Sequence, residues 1–294
     1  MVTFAACQYA FSLFDDFAAY AAHLDALAGE AAGNGAQLLL LPEYAAMALT
    51  GLLPEDARGD LGRSIAGIQP LIPDWLALCE DIARRRGVHF CPGSAPVLDA
   101  DGRYRNRAFL FGPEGRIGHQ DKIIMTRFER EQWFIAGGVE GLRTFDTPHG
   151  RLGILICYDN EFPMLARRLA EMGADLVLAP SCTDTEAGYH RVRIGAQARA
   201  LENQFAVLVS PTAGKAPWSP AVDENHGRAA LYVPADHGMP PDGVFASSEA
   251  VFTETSRWLH GAIDLARVRE LRHKGQVALF RDWPEQFDVH PAAR

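Results

Sequence analysis

Cys157 stands in the stretch RLGILICYDNEFP (151–163), where an apolar run gives way to polar residues. Free cysteine is among the most buried residue types and usually just packs, so its position alone marks it as the end of a core strand. Its other use is nucleophilic attack, for which the thiolate is the reacting species. An unperturbed cysteine, with a pKa of about 8.5, forms thiolate sparingly at neutral pH, and a nearby base or cation must help. Glu43 emerges straight from four leucines and a proline in LLLLPE (38–43). A carboxylate half-buried there has a raised pKa and can act as a general base; a surface glutamate capping the next helix would look the same. Lys122 ends the return strand of a hairpin predicted from RNRAFLF (105–111), GPEG and RIGHQDK (116–122). Most lysines in such places are solvated. Glu129 and Glu131 follow, ahead of Trp133-Phe134, and either could reach a shared site. Ten histidines are present, but none falls at the end of a clear core strand, so a Cys–His pair has no support.

The elements that must hold these residues occur twice. Residues 2–9 (VTFAACQY) predict a buried strand, and Phe17, Tyr20, Ala21, Leu24, Leu27 and Ala28 recur on one helical face. GAQLLLLPE (35–43) is a short strand stopped by proline. LGILIC (152–157), the stripe Phe162, Leu165, Ala166, Leu169, Met172, and GADLVLAPS (173–181) repeat the plan. Continuous apolar strands beside amphipathic helices imply sheets covered by helices. The duplication predicts an α/β protein in four layers, an αββα sandwich. Strand-like runs at 228–233, 249–254 and 257–263 complete the sheets. No Ser/Pro/Gly-rich linker divides the chain, so residues 1–294 are expected to form one domain, with a core over about 2–265 and a tail over 266–294. Ligands gather at the carboxyl ends of parallel strands, where Glu43, Cys157 and Ser181 all fall. The Pro- and Gly-rich stretches 213–223 and 234–243 read as surface loops, where specificity tends to sit.

The whole-chain balance narrows the function. A formal charge of −9 argues against nucleic acid, because phosphate binding needs a positive field. The densest basic run, Arg84-Arg85-Arg86, falls late in a helical pattern, where cations complement the helix dipole. Five scattered cysteines without CxxC or HExxH spacing predict no metal site and no disulfide framework. No apolar run reaches membrane-spanning length, and the first residues lack a basic leader. A reducing compartment, the cytoplasm, is the expected location.

LLLLPE (38–43), DK (121–122), GILICYDNEFP (153–163), GADLVLAPS (173–181) and ARALEN (198–203) occur in the order found in the nitrilase superfamily of carbon–nitrogen hydrolases. The chain resembles that superfamily over roughly residues 2 to 265. The resemblance implies an αββα sandwich that pairs into homodimers or higher homo-oligomers, with the tail 266–294 a candidate contact between copies. It implies Glu43 as general base, Lys122 as electrophilic partner and Cys157 as nucleophile, with no metal or organic cofactor. The family's second glutamate precedes an aromatic pair and a glycine; Glu131 matches it best, with Glu129 the fallback. Cys-Tyr-Asp at 157–159 is similar to amide and carbamoyl hydrolysers, where nitrile hydrolysers have Cys-Trp-Glu. GYHRVRIGAQARALEN (188–203) is similar to a branch in which some members carry an acetyltransferase domain ahead of the hydrolase; this chain opens at the hydrolase strand, so none is expected here.

The implied reaction is hydrolysis of a small linear amide, of the ω-amide or N-carbamoyl type, through a thioester on Cys157. The backbone N–H of Tyr158, just past the nucleophile, is a natural second donor to the oxyanion. Ser181, His190 and Trp218 are expected to line the substrate pocket. Departures from the family pattern fall at Tyr189-His190, Gly227-Arg228-Ala229 and the loop bearing Trp218, where substrate would be read. Acyl transfer to an amine is the nearest alternative, followed by nitrile hydrolysis and an inactive scaffold.

Overall fold

Side chains alternate along strand Val2–Ala10, and what each set meets defines the layers. Phe4 and Ala6 point into a core shared with Leu38, Leu40, Leu110, Leu152 and Ile154. Ala5, Cys7 and Tyr9 point the other way. They pack among Leu24 and Leu27 of helix Phe17–Gly33 and Trp75, Cys79 and Ile82 of helix Ile72–Arg86. One face of the strand therefore meets helices and the other a second sheet.

The computed structural model describes residues 1–288; the end of the expected tail, 289–294, lies outside them. In the first sheet, Leu38–Leu40 runs parallel to Val2–Ala10 and to His89–Cys91. The predicted hairpin is Tyr104–Gly112 with Gly115–Asp121. Arg257–Ile263 pairs antiparallel on the other side of the first strand. The second sheet is built on Gly150–Ile154, Leu176–Ser181 and Ala206–Lys215, all parallel. Helices Pro163–Glu171 and Glu186–Asn203 cover it through Ala166, Leu169, Ala196 and Ala200. The sheets join at one corner, where Tyr9 and Ala10 pair with Thr212 and Ala213. The fold is thus a curled α/β sheet system flanked by helices, and the repeated strand–helix–strand plan supplies one helix–sheet pair from each half.

Three predicted strands are trimmed. The run 228–233 shortens to Ala230–Tyr232. The run 249–254 is not a strand, because the Ala250 and Val251 carbonyls accept from the Gln8 side chain and the Gly227 N–H instead of a ladder; Val244–Ser247 pairs in its place. The strand before Cys157 stops at Ile154, so the cysteine opens a turn. From Leu265 the chain folds back on itself: Arg272 donates to the Gln204 and Ala174 carbonyls, and Arg167 lies over the Phe280 ring at 4.5 Å. No helix among the described residues is long and apolar enough to cross a membrane.

The segment carrying Glu43 depends on a close backbone approach. Gly93 has φ +78°, and a Cβ there would sit 1.8 Å from the Pro42 carbonyl oxygen. Gly102 has a similar φ of +76° with open space around it. Gly102→Ala should therefore cost only the left-handed backbone penalty of about 1 kcal/mol. Gly93→Ala should cost at least about 2 kcal/mol more, since Pro42 must move. Urea midpoints of the two variants check this, and equal losses would contradict it.

Candidate active site

Leu38–Leu40, Gly150–Ile154 and Leu176–Ser181 all end at one rim, and a cavity of about 520 Å³ opens there. Glu43, Lys122, Glu129, Cys157, Tyr158 and Cys182 line its floor and walls. Glu43, Lys122 and Cys157 are each delivered by a break in regular structure. Leu41 donates to the Cys91 carbonyl, Pro42 ends the ladder, and Tyr44 takes φ +58° to turn Glu43 inward. Lys122 follows strand Gly115–Asp121 and is pinned by its N–H to the Asn106 carbonyl, 2.9 Å. Cys157 takes φ +47°, a left-handed conformation that side chains bearing a Cβ rarely adopt. Strain of that kind persists only where surrounding contacts over-determine it, as at a reactive turn.

The Lys122 ammonium is 1% exposed and clamped between two carboxylates, Glu43 Oε1 at 2.8 Å and Glu129 Oε2 at 2.7 Å. The Asn106 amide donates to both, at 2.8 and 3.2 Å. The Tyr44 hydroxyl donates to Glu129 Oε1 at 2.6 Å, and the Cys182 N–H donates to Glu43 Oε2 at 2.9 Å. Cys157 Sγ lies 3.5 Å from the Cys182 carbonyl, within the electrostatic reach of the Glu43 carboxylate. Asp159 ties the cysteine turn to the lysine turn by accepting the Ile123 and Ile124 N–H groups at 3.0 and 2.8 Å. The Tyr158 N–H finds no acceptor among the described residues, so it is available to a ligand.

Burial sets the electrostatics. It pushes the Glu43 carboxyl above its ordinary value, against the pull of Lys122. Burial alone would push Lys122 down, but Glu129 and Glu43 more than offset it and hold the ammonium charged. Burial would likewise raise Glu129, yet the Lys122 charge keeps it below the usual glutamate range. Burial and then the Glu43 charge push the Cys157 thiol well up. The resting site therefore holds a thiol beside a carboxylate of raised basicity, and a cation beside the position where negative charge would grow. Among the described residues, no group of three or more His, Cys, Asp or Glu side chains is arranged to hold a metal ion.

The structure brings Glu43, Lys122, Cys157 and Tyr158 together and moves four other expected residues out. Glu131 is replaced by Glu129: its side chain is 63% exposed and pairs with Arg127 across one helical turn. Two residues along a helix rotate a side chain by about 200°, so only one of the two glutamates can face the lysine. The deciding signal was the run Thr126-Arg-Phe-Glu129, a capping box in which Thr126 N–H and Oγ1 both meet Glu129 Oε2 at 2.8 Å. Ser181 is still within its strand, its hydroxyl turned to the Ala179 carbonyl; the next residue, Cys182, enters the site through its backbone. His190 is 48% exposed beside Glu186, and the following Arg191 faces the cavity instead. Trp218 packs against the first-sheet core, while Pro220, Ala221, Asp223 and Glu224 of its loop line the cavity. Asn106, Tyr44 and Asp159 had no assigned role in the sequence reading.

Residues 3–273 match the family model for carbon-nitrogen hydrolases. The chain belongs to the carbon–nitrogen hydrolase family. Members of this family, part of the nitrilase superfamily, act on carbon–nitrogen bonds other than peptide bonds. A probable hydrolase of Bacillus subtilis is 31% identical over 275 residues, 94% of this chain but only 52% of that protein, so the chain spans about half of that relative. An omega-amidase of Xenopus laevis is 30% identical over 257 residues, 83% of each chain. The fold matches a cysteine-to-alanine variant of the amidase from Nesterenkonia sp. AN1 in complex with butyramide, with a TM-score of 0.71, 22% identity, and coverage of 96% of this chain and 97% of that one.

The pKa pattern yields a test on Cys157. Its thiol pKa lies above the ordinary value, so thiolate accumulates only as pH rises past that point, and alkylation by a neutral reagent should be slow at pH 7. Glu43→Gln removes the carboxylate that takes the thiol proton and should slow alkylation at pH 7. Rates measured across pH by mass spectrometry check this; a faster Glu43→Gln variant would contradict it.

Proposed function

We propose that the chain is a cysteine-dependent amidase that hydrolyses a small linear amide, of the ω-amide or N-carbamoyl type, to a carboxylate plus ammonia or an amine. The reading rests above all on one observation: a buried ammonium shares a cavity with a thiol and touches a carboxylate of raised pKa. The relative named omega-amidase supports amide hydrolysis.

In this mechanism Glu43 takes the Cys157 proton as sulfur attacks the amide carbon. The carbonyl oxygen gains negative charge opposite Lys122 Nζ and the Tyr158 N–H. An ion pair at 4 Å and an effective dielectric of about 20 is worth about 4 kcal/mol, an upper guide, since only the part gained in the transition state speeds the reaction. Protonated Glu43 passes its proton to the departing nitrogen as the carbon–nitrogen bond breaks, leaving a thioester. Water, deprotonated by the same carboxylate, attacks the thioester carbon, and the thiol leaves with the proton. Glu129 keeps the ammonium charged and aimed; Asn106 bridges the two carboxylates and Tyr44 fixes Glu129. The free thiols at all five cysteines suit a reducing compartment, and we place the enzyme in the cytoplasm. Its assembly as a homodimer or larger homo-oligomer is carried from the family resemblance.

Cys157→Ala should abolish ammonia release from a panel of amides, carbamoyl compounds and nitriles while leaving the unfolding midpoint near that of the parent. An acyl adduct trapped from substrate should map to the peptide bearing Cys157 and not to those bearing Cys7 or Cys182. Glu129→Gln should cut kcat/KM by about a hundredfold, comparable to losing one preorganised donor in a dry site, whereas Glu131→Gln should stay within about twofold, as exposed pairs contribute little. An active alanine variant, or the reverse ranking of the two glutamates, would overturn the assignment.

A further inference from the structure

The carboxylates and arginines at the cavity mouth bear on what kind of amide enters, an inference that rests on the amide hydrolysis proposed above. Beyond the reacting groups, the lining carries Glu161, Asp184, Asp223 and Glu224 against Arg127 and Arg191. Both arginines already have partners. Arg127 Nε lies 3.3 Å from Glu131 Oε1, and Arg191 Nε lies 3.5 Å from Glu161 Oε1. Glu224 faces Lys215 at 3.3 Å. Asp184 and Asp223 have no cation within ion-pair distance among the described residues, and both are exposed to the cavity mouth. Arg191 is the side chain placed to read a carboxylate, and Glu161 occupies it.

These acids are not a remote surface patch. The charge on Asp184 adds to the rise of the Cys182 thiol, and the Lys122 charge is felt at Glu161, so both lie within electrostatic reach of the reacting groups. Glu161 is only 22% exposed, a carboxylate set in the cavity wall. Between floor and mouth the wall is aromatic and aliphatic, with Tyr44, Phe128, Trp133, Tyr158, Pro220 and Ala221. Such a wall suits a short methylene chain. A net charge of −9 on the chain adds a field that draws cations toward the mouth and repels anions.

We propose that the cavity selects an amide or carbamoyl compound whose far end is a protonated amine or guanidinium, held by Asp184 and Asp223. A substrate with a carboxylate at that end would meet the unpaired negative charge of Asp184 and Asp223.

The test is a matched set of five-carbon primary amides differing only at the far end: 5-aminopentanamide, pentanamide and glutaramate. Ammonia release should give kcat/KM highest for the ammonium compound, and higher than for the carboxylate by at least about tenfold, a size typical of partly exposed charge contacts. The gap should narrow in 0.5 M salt, given a screening length of a few ångströms there. In the Asp184→Asn/Asp223→Asn double variant the ratio of ammonium to neutral substrate should fall toward one; unchanged ratios would mean these acids do not read the substrate. Turnover of pentanamide with no preference by charge, or a preference for glutaramate, would overturn this inference and leave the amidase reading standing. No turnover of any amide together with no acyl adduct on Cys157 would overturn both.

Discussion

A fully buried ammonium touching two buried carboxylates is the constraint around which the rest of this protein is arranged. Taking three charges out of water is costly, and their mutual attraction offsets that cost only when geometry is good and the remaining lone pairs are satisfied. Here they are. Asn106 donates to both carboxylates, Tyr44 to Glu129, and the Cys182 backbone to Glu43. Thr126 fills Glu129 further through the capping box. Apolar residues of similar volume would often serve stability as well or better. The network makes physical sense as preorganisation: a charge fixed beforehand in a dry cavity need not reorganise when the substrate's carbonyl becomes an oxyanion.

That demand explains why so many of the site's elements end abruptly. A carboxylate, an ammonium and a thiol from remote parts of the chain must converge within a few ångströms, and regular strands cannot aim them there. Pro42 with a left-handed Tyr44, the pinned turn after Asp121, and the left-handed Cys157 each break a strand at the rim. Asp159 then links two of these breaks by holding the Ile123–Ile124 backbone. Burial raises its carboxyl to about 7, the cost of setting this brace in a dry wall. Gly93 permits the break at Pro42 by letting its backbone close on that residue.

The layers were legible in local signals, namely apolar runs, helical stripes and a proline at a strand end. The roles of Glu43, Lys122 and Cys157 came instead from the family resemblance, since each alone also fits a structural place. LLLLPE and LGILIC are continuous hydrophobic strands stopped at polar residues, and the chain folds them as read, up to the early turn at Cys157. Residues that act across the fold were less visible. Asn106 lies mid-strand in an ordinary hairpin and matters only because the hairpin passes under Glu43 and Lys122. Tyr44 looks like one more core aromatic until its hydroxyl meets Glu129. The choice between Glu129 and Glu131 turned on helical rotation within one short helix, which the capping box could have resolved. Ser181, His190 and Trp218 each missed by position along an element: the neighbouring Cys182 and Arg191, and the 220–224 end of the loop, face the cavity instead.

The central claim is that the Lys122 charge compensates the two buried carboxylates. Equilibrium unfolding of Lys122→Met, of Glu43→Gln/Glu129→Gln, and of the triple variant measures it directly. Lys122→Met alone should lose about 3–5 kcal/mol, because two anions are left buried without a cation. The triple variant should recover most of that loss, its groups all being neutral. Losses that simply add across the three changes would contradict the account.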